Sequence, residues 1–123
     1  MHGYEKFRDY LLDEGYRIID ENDTFFVFRS EGETFFVFKH PSSNVQVTQA
    51  LGARKDVDRN KLLQLCNEMN DDKFIIKFVL QDDYVLCSAE FLVGDKVDHD
   101  FVEMMLPLLD HVSDEFMVKM SEL

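Results

Sequence analysis

The sequence predicts an α+β fold, an antiparallel sheet with helices in the order α-β-β-β(-β)-α-β-β-α. The segment Thr24–Phe28 recurs as Thr34–Phe38 across a short loop that contains Gly32, a pattern typical of a β-hairpin. Apolar residues recur at helical spacing in three other segments. No long linker or low-complexity tract interrupts the 123 residues, so we expect one domain over residues 1–123.

The N-terminal half is expected to supply one helix and up to four strands. Residues 4–14 carry apolar side chains at helical spacing, and Gly15 follows where a left-handed C-cap residue is favoured. Tyr16–Ile19 is strand-like, and after the hairpin Asn44–Gln49 alternates polar and apolar residues as a half-buried strand does. The first sheet segment therefore has three or four strands.

The C-terminal half is expected to supply a second hairpin between two helices. Asp56 or Asp58 can cap a helix that runs to about Asn70 and has one broad apolar stripe. Residues 73–80 and 84–93 are then two strands that turn at residues 81–83. Asp98 can cap the last helix, which reaches about Met120.

Side-chain alternation divides each predicted hairpin between a core face and an outer face. In the first hairpin four phenylalanines are placed against the helices: Phe26, Phe28, Phe36 and Phe38. The outer face of both hairpins remains half apolar, and contiguous apolar surface of this kind is typical of an interface. With one residue of the second helix, the candidate protein-interface residues are Phe25, Val27, Phe35, Val37, Leu63, Ile75, Val79, Leu86 and Leu92. The alternative is that helix 57–70 covers this face.

The charge of the chain bears on its partners. The sequence has 25 Asp and Glu against 13 Lys and Arg, which gives a formal net charge of −12. A surface of this sign repels phosphate groups, so nucleic acid and anionic membranes are not expected as partners. The same field favours a basic polypeptide, although solubility is the simpler explanation of the charge.

No motif in the sequence indicates catalysis, a metal site or a cofactor. Cys66 and Cys87 fall in a predicted helix and strand without CxxC spacing, so we interpret both as buried thiols in a reducing compartment. Asp98, His99 and Asp100 are better explained by helix capping than by metal binding. The first residues contain no apolar leader and no apolar run is long enough to span a bilayer, so a cytoplasmic location is expected.

Several segments resemble the YbjN-like domain family. They are Leu12–Tyr16, Leu62–Asn70, Lys73–Phe78, the strand to Val93 and the last helix through Asp114–Phe116. The resemblance implies the fold of the type III secretion chaperones. It also implies a small acidic homodimer that binds protein segments without ATP and without chemistry of its own.

These observations together predict a non-enzymatic protein-binding module, chaperone-like or regulatory. We expect a homodimer that forms through helix 57–70 and the neighbouring second hairpin, with a protein or peptide partner. The alternative is an inhibitory or immunity-type protein that neutralises a basic toxin or effector through acid-rich turns. An enzyme would require several ionisable residues that converge in one concave site.

Overall fold

The computed structural model describes residues 2–53, 55–73 and 75–123. In these ranges the elements are α1 Gly3–Asp13, β1 Arg17–Glu21, β2 Phe25–Ser30, β3 Glu33–Phe38, β4 Asn44–Gly52, α2 Arg59–Asp72, β5 Ile76–Leu80, β6 Tyr84–Leu92 and α3 His99–Ser121. The first sheet segment thus has four strands, and the predicted α+β order is confirmed. Phe74, which belongs to the strand expected from residue 73, lies outside the described residues.

The described strands form one antiparallel sheet in the order β1-β2-β3-β4-β6-β5. At its centre β4 and β6 pair along their whole length, from Asn44 opposite Leu92 to Gly52 opposite Tyr84. The chain between β4 and β5 forms α2, which carries it past the position of β6 to the edge of the sheet. The two edge strands are therefore β1 and β5.

The three helices pack on one face of the sheet. A single core cluster contains Phe7 of α1, Met69 of α2 and Phe116 of α3. The same cluster contains alternate residues of the strands, as expected when one face is buried: Phe26, Phe28, Phe35, Val37, Val45, Val47, Ile76, Phe78, Val85, Cys87 and Ala89. Burying each aromatic or aliphatic side chain contributes about 1.5–3 kcal/mol relative to leaving it exposed. This core stabilises the sheet from one side.

The first hairpin forms as predicted, but its register differs. Glu31 (φ 53°) and Gly32 (φ 80°) make a two-residue turn with positive φ at both positions, so Ser30 lies opposite Glu33. Phe26 is consequently opposite Val37 and Phe28 opposite Phe35, and these four residues face the helices. The prediction that Phe35 and Val37 lie on the outer face is therefore wrong. Their places are taken by Phe36 and Phe38, which were predicted to face the core.

The second hairpin has the predicted faces. Ile76, Phe78 and Leu80 lie opposite Ala89, Cys87 and Val85 on the core side. On the other side Lys77 is opposite Ser88 and Val79 is opposite Leu86. Ile75 requires a correction, because it precedes β5 and packs against the core cluster instead of lying on the outer face.

The cap of α3 is Asp98, as predicted, and of the two candidates for the cap of α2, Asp56 and Asp58, the structure has Asp58. The side chain of Asp58 accepts a hydrogen bond from the amide of Asn60 (2.8 Å), and α2 starts at Arg59, directly after this cap. The side chain of Asp98 accepts from the amide of Phe101 (3.2 Å) at the start of α3. These bonds satisfy amide groups that have no partner within the first turn of a helix.

Candidate functional site

The side of the sheet that faces away from the helices is the outer sheet face. Cross-strand partners share a face, so the register assigns its members. They are Arg17, Asp20, Phe25, Val27, Arg29, Thr34, Phe36, Phe38, Asn44, Gln46, Thr48, Ala50, Gly52, Lys77, Val79, Tyr84, Leu86, Ser88, Glu90 and Leu92. None of these residues belongs to the core cluster or packs against it. Within the described residues, the helices therefore leave this face uncovered.

Three phenylalanines form an aromatic cluster at one side of the outer sheet face. The ring of Phe25 lies 5.9 Å from that of Phe36 and 6.0 Å from that of Phe38, measured between centroids. Phe36 and Phe38 are 6.4 Å apart and nearly parallel. All three rings remain half-buried, while the neighbouring Val27 is buried. Rings in this arrangement offer a large apolar contact area to another molecule.

A polar strip crosses the middle of the outer sheet face. The hydroxyls of Thr48 and Ser88 are hydrogen-bonded to each other at 2.8 Å, and both residues are buried. Gln46 lies over this pair, because its Nε2 donates to Ser88 Oγ (3.2 Å). Gln46 Oε1 accepts from Nε2 of His40 (3.1 Å), which places the proton of that imidazole on Nε2. The strip separates the aromatic cluster from the aliphatic side chains of β5 and β6.

The other half of the face is aliphatic and more exposed. Leu92 is 75% exposed and Val79 is 48% exposed, whereas Leu86 is half-buried. Leu63 is 47% exposed on the solvent side of α2, the helix that packs beside β5. Exposed apolar side chains therefore occur both on the second hairpin and on α2, at the edge of the sheet that β5 forms.

The structure divides the predicted interface residues into three groups. Five lie on the outer sheet face: Phe25, Val27, Val79, Leu86 and Leu92. Leu63 is exposed on α2, away from that face. The remaining three, Phe35, Val37 and Ile75, contact the core. Sequence reasoning missed Phe36 and Phe38, and the signal that identifies them is the Glu31-Gly32 pair, which permits a two-residue turn.

Both edges of the sheet are protected against pairing with another strand. Asn70 of α2 covers β5, since its Nδ2 donates to the carbonyl of Phe78 (3.0 Å) and its Oδ1 accepts from the amide of Phe78 (2.6 Å). The other edge strand, β1, has a register irregularity between Ile18 and Asp20. Irregular edges and occupied backbone groups discourage strand addition. A partner is therefore better accommodated on the outer sheet face than at an edge.

An acidic cleft of about 710 Å³ lies between α1 and the start of α3. His99 joins the two helices there: its Nδ1 is 2.9 Å from the hydroxyl of Tyr10 and 3.4 Å from Glu14 Oε1, and its Nε2 is 3.7 Å from Glu103 Oε1. Burial, and after it the negative charge of Glu14, raises the pKa of Tyr10 to about 12. The cleft gathers ionisable groups in one concave site, but both ring nitrogens of His99 are already engaged.

The two cysteines are buried, as the sequence predicted. Cys66 on α2 and Cys87 on β6 are free thiols within the core cluster. Burial raises the pKa of each thiol to about 11, and the hydroxyl of Ser113 partly opposes this rise at Cys87 as a weak hydrogen-bond partner. Both sulfurs are therefore protonated at neutral pH and shielded from reagents.

In residues 2–53, 55–73 and 75–123 no three His, Cys, Asp or Glu side chains are grouped so that they could hold a metal ion. Over the same residues no helix is both long enough and apolar enough to span a bilayer.

The fold defines an α+β class in which three helices cover one face of a six-stranded antiparallel sheet. Residues 4–120 match the family model YbjN, described as "Putative bacterial sensory transduction regulator", and the chain belongs to this family.

Two solved structures share the fold at 12% sequence identity. An uncharacterized protein from Methanothermobacter thermautotrophicus has a TM-score of 0.68, with 98% of this chain and 97% of that chain covered. YbjN from E. coli, described as "a putative transcription regulator", has a TM-score of 0.69, with 96% and 90% covered. No curated protein matches the sequence significantly.

Proposed function

We propose that this chain is a regulatory protein that acts without catalysis by binding another polypeptide on its outer sheet face. The observation that carries the proposal is the aromatic cluster of Phe25, Phe36 and Phe38, which lies on a face without a helix over it. Interfaces are enriched in aromatic side chains of this kind. The protected sheet edges favour the face over strand addition as the binding mode.

The descriptions of the family and of its E. coli member support a regulatory role over an enzymatic one. The family to which the chain belongs is described as a "Putative bacterial sensory transduction regulator", and the E. coli protein is described as "a putative transcription regulator". The net charge of −12 disfavours direct contact with nucleic acid. We therefore assign the regulation to contact with a protein in the cytoplasm, where free thiols such as Cys66 and Cys87 remain reduced.

We further propose that the protein is a homodimer formed through α2 and the second hairpin. Leu63 and Val79 are each about half exposed on either side of the β5 edge. The polar strip separates this aliphatic half of the outer sheet face from the aromatic cluster. A second copy on the aliphatic half would therefore leave the aromatic cluster free for the partner.

Sedimentation equilibrium at micromolar concentration tests the dimer. The native chain should sediment at twice the monomer mass, and the double variant Leu63→Glu, Val79→Thr should sediment as a folded monomer. Leu12→Glu is the matched control, because Leu12 is 46% exposed on α1 and should leave the dimer intact. Phe36→Thr should also leave the dimer intact. A native chain that is monomeric throughout contradicts the proposal, and so does a dimer that is lost in Phe36→Thr alone.

The acidic cleft supports a second candidate function, the neutralisation of a basic protein. Six carboxylates line this cleft: Asp9, Asp13, Glu14, Asp95, Asp98 and Asp100. Attraction between exposed charges is screened over about 8–10 Å at physiological ionic strength, so such binding should weaken steeply with added salt. A partner held mainly by apolar contacts with the aromatic cluster should instead lose much less affinity when salt is added.

A further inference from the structure

The strands β3 and β4 separate over half of their length and leave a notch in the sheet. Their paired residues are Phe36 with Thr48, Val37 with Val47 and Phe38 with Gln46. Beyond Phe36, the start of β3 pairs with β2 and the end of β4 pairs with β6, but the two strands do not pair with each other. A cleft of about 250 Å³ occupies the gap, with Gln49 of β4 and Ser113 of α3 in its lining.

Gln49 has a buried hydrogen-bond acceptor without a donor. The residue is 6% exposed, and its Nε2 donates to Asp110 Oδ1 at 3.3 Å. Because an ionised carboxylate only accepts hydrogen bonds, this contact fixes the orientation of the amide and directs Oε1 away from Asp110. In the part of the chain that the structure describes, Oε1 has no hydrogen-bond partner. A buried carbonyl oxygen in this state gains free energy when a ligand donates to it.

A second buried acceptor lies in the same cleft. Ser113 is 2% exposed, and within the described residues its hydroxyl makes no hydrogen bond of good geometry. The thiol of Cys87 is beside it, but sulfur is a weak partner for a hydroxyl group. Two side chains that are more than nine-tenths buried therefore line one small cleft, and each has an oxygen, Gln49 Oε1 or Ser113 Oγ, that lacks a strong hydrogen-bond partner.

The rim of the notch is negatively charged. Glu33, Asp110 and Asp114 line it, and its described lining contains no Lys or Arg. An adjoining cleft of about 220 Å³ shares these three carboxylates and adds Glu31. Buried acceptors beneath a ring of carboxylates suit a cation with several N–H donors, and the planar guanidinium group has five. Phe36 belongs both to the notch and to the aromatic cluster, so a guanidinium bound here can stack beside an aromatic ring.

We infer that the notch is a recognition site for an arginine side chain of the polypeptide that lies on the aromatic cluster. This inference rests on the proposed function and adds a partner chemistry to it. The guanidinium donates to Gln49 Oε1 and Ser113 Oγ and pairs with the carboxylates of Asp110 and Asp114. The apolar residues that flank the arginine in the partner contact Phe25 and Phe38.

A titration followed by ¹H–¹⁵N NMR with two peptides tests the inference. The probes are the acetylated and amidated pentapeptide Thr-Val-Arg-Val-Thr and the same peptide with citrulline, which keeps the shape of arginine without its charge. The arginine peptide should shift the side-chain amide signals of Gln49 and the backbone signals of residues 33–35 and 49–51. The citrulline peptide should bind at least tenfold more weakly. Free agmatine and calcium chloride are titrated in parallel.

Three variants locate the site. Gln49→Leu removes the unpartnered acceptor, and Asp114→Asn removes a rim charge. Each variant should lower the affinity for the arginine peptide at least fivefold, while thermal unfolding shows that the fold is intact. Asp95→Asn is the matched control, since Asp95 lies at the acidic cleft between α1 and α3 and should leave binding unchanged. Gln49→Leu should also fold at least as well as the native chain, because it removes a buried polar group that lacks a full set of partners.

Each contrary result overturns either the arginine site or its assignment to a polypeptide partner. If both peptides bind equally, or if Gln49→Leu binds the arginine peptide as well as the native chain does, the arginine site is wrong. The proposed function still stands in that case, as long as Phe36→Thr weakens the binding of both peptides. If agmatine binds as tightly as the peptide, the ligand is a small amine and the assignment to a polypeptide is wrong. If only calcium shifts these signals, the notch is a cation site and the inference fails.

Discussion

Cys66 and Cys87 illustrate how the environment of single residues decides their chemistry. They lie on α2 and β6 at 1% and 0% exposure, and loss of water raises the pKa of each thiol to about 11. A thiol is nucleophilic only as thiolate, so both residues act as small apolar side chains in the folded state. Their apolar sequence context was sufficient to predict this.

These shifted pKa values predict a loss of stability at alkaline pH. In the unfolded chain a thiol ionises near pH 8.5, as the model-peptide value indicates. Above that pH the unfolded state holds fewer protons than the folded state, whose thiols ionise at about pH 11. The contribution of the thiols to the free energy of unfolding should therefore be constant below about pH 8 and fall as the pH rises from about 9 to 11. Tyr10, with a pKa of about 12, extends the fall beyond pH 10.

Urea unfolding at a series of pH values measures this effect. The double variant Cys66→Ala, Cys87→Ala should be less stable at neutral pH, because it leaves cavities, but should lose part of the slope between pH 9 and 11. At pH 8 a thiol reagent should modify the native chain no faster than the chain opens. A flat stability profile up to pH 11, or modification that is faster than opening, contradicts the assignment of both thiols to the core.

At the scale of elements, the two-residue turn at Glu31-Gly32 decides which phenylalanines are available to a partner. A turn of this kind requires positive φ at both positions, and Glu31 adopts 53° although it has a β-carbon. The turn pairs Ser30 with Glu33 and so directs Phe36 outward and Phe35 inward. A register shifted by one residue would reverse this choice, because successive strand side chains point to opposite faces.

The turn predicts that Glu31→Asn stabilises the protein. Asparagine adopts positive φ at lower cost than glutamate, and Asn-Gly is the preferred pair in such turns. The free energy of unfolding should rise by roughly 0.5–1 kcal/mol, within the cost of about 1–2 kcal/mol for a left-handed residue. Glu33→Asn is the control: this residue belongs to β3, where asparagine is disfavoured, and it should lower stability. Two-state urea unfolding of both variants checks the prediction, and destabilisation by Glu31→Asn would speak against the turn.

The helices and strands also show which features a sequence pattern predicts and which it does not. Helical spacing, strand alternation and capping residues identified the order of elements, the cap Asp98, Asp56 or Asp58 as the cap of α2, and the faces of the second hairpin apart from Ile75. These features depend on neighbours in the sequence. The register of the first hairpin was not predicted, because the same sequence also fits a three-residue loop, which would shift the pairing by one residue and place Phe36 and Phe38 on the face of Phe26 and Phe28. The hydrogen bonds of Asn70 to β5 and the notch between β3 and β4 depend on tertiary placement, so no local pattern predicts them.

At the scale of the whole molecule, the described helices lie on one side of the sheet and the proposed recognition surface lies on the other. The described helices bury one apolar side of the strands and leave the other side as two apolar halves divided by a polar strip. The polar strip is stable because its buried hydroxyls satisfy each other. Under the proposed function, a second copy would occupy one apolar half and the partner would occupy the other.

The most direct test of this account compares the stabilities of Phe35→Ala and Phe36→Ala, two neighbours on β3 that face opposite sides of the sheet. Phe35 is 1% exposed in the core, and its loss should lower the free energy of unfolding by about 3–5 kcal/mol. Phe36→Ala should cost about 1 kcal/mol, because the ring lies half-buried on the surface and loses only part of its contacts with Phe25 and Phe38. Equal losses, or a larger loss for Phe36→Ala, would show that the outer sheet face is covered and would contradict its role as a binding surface.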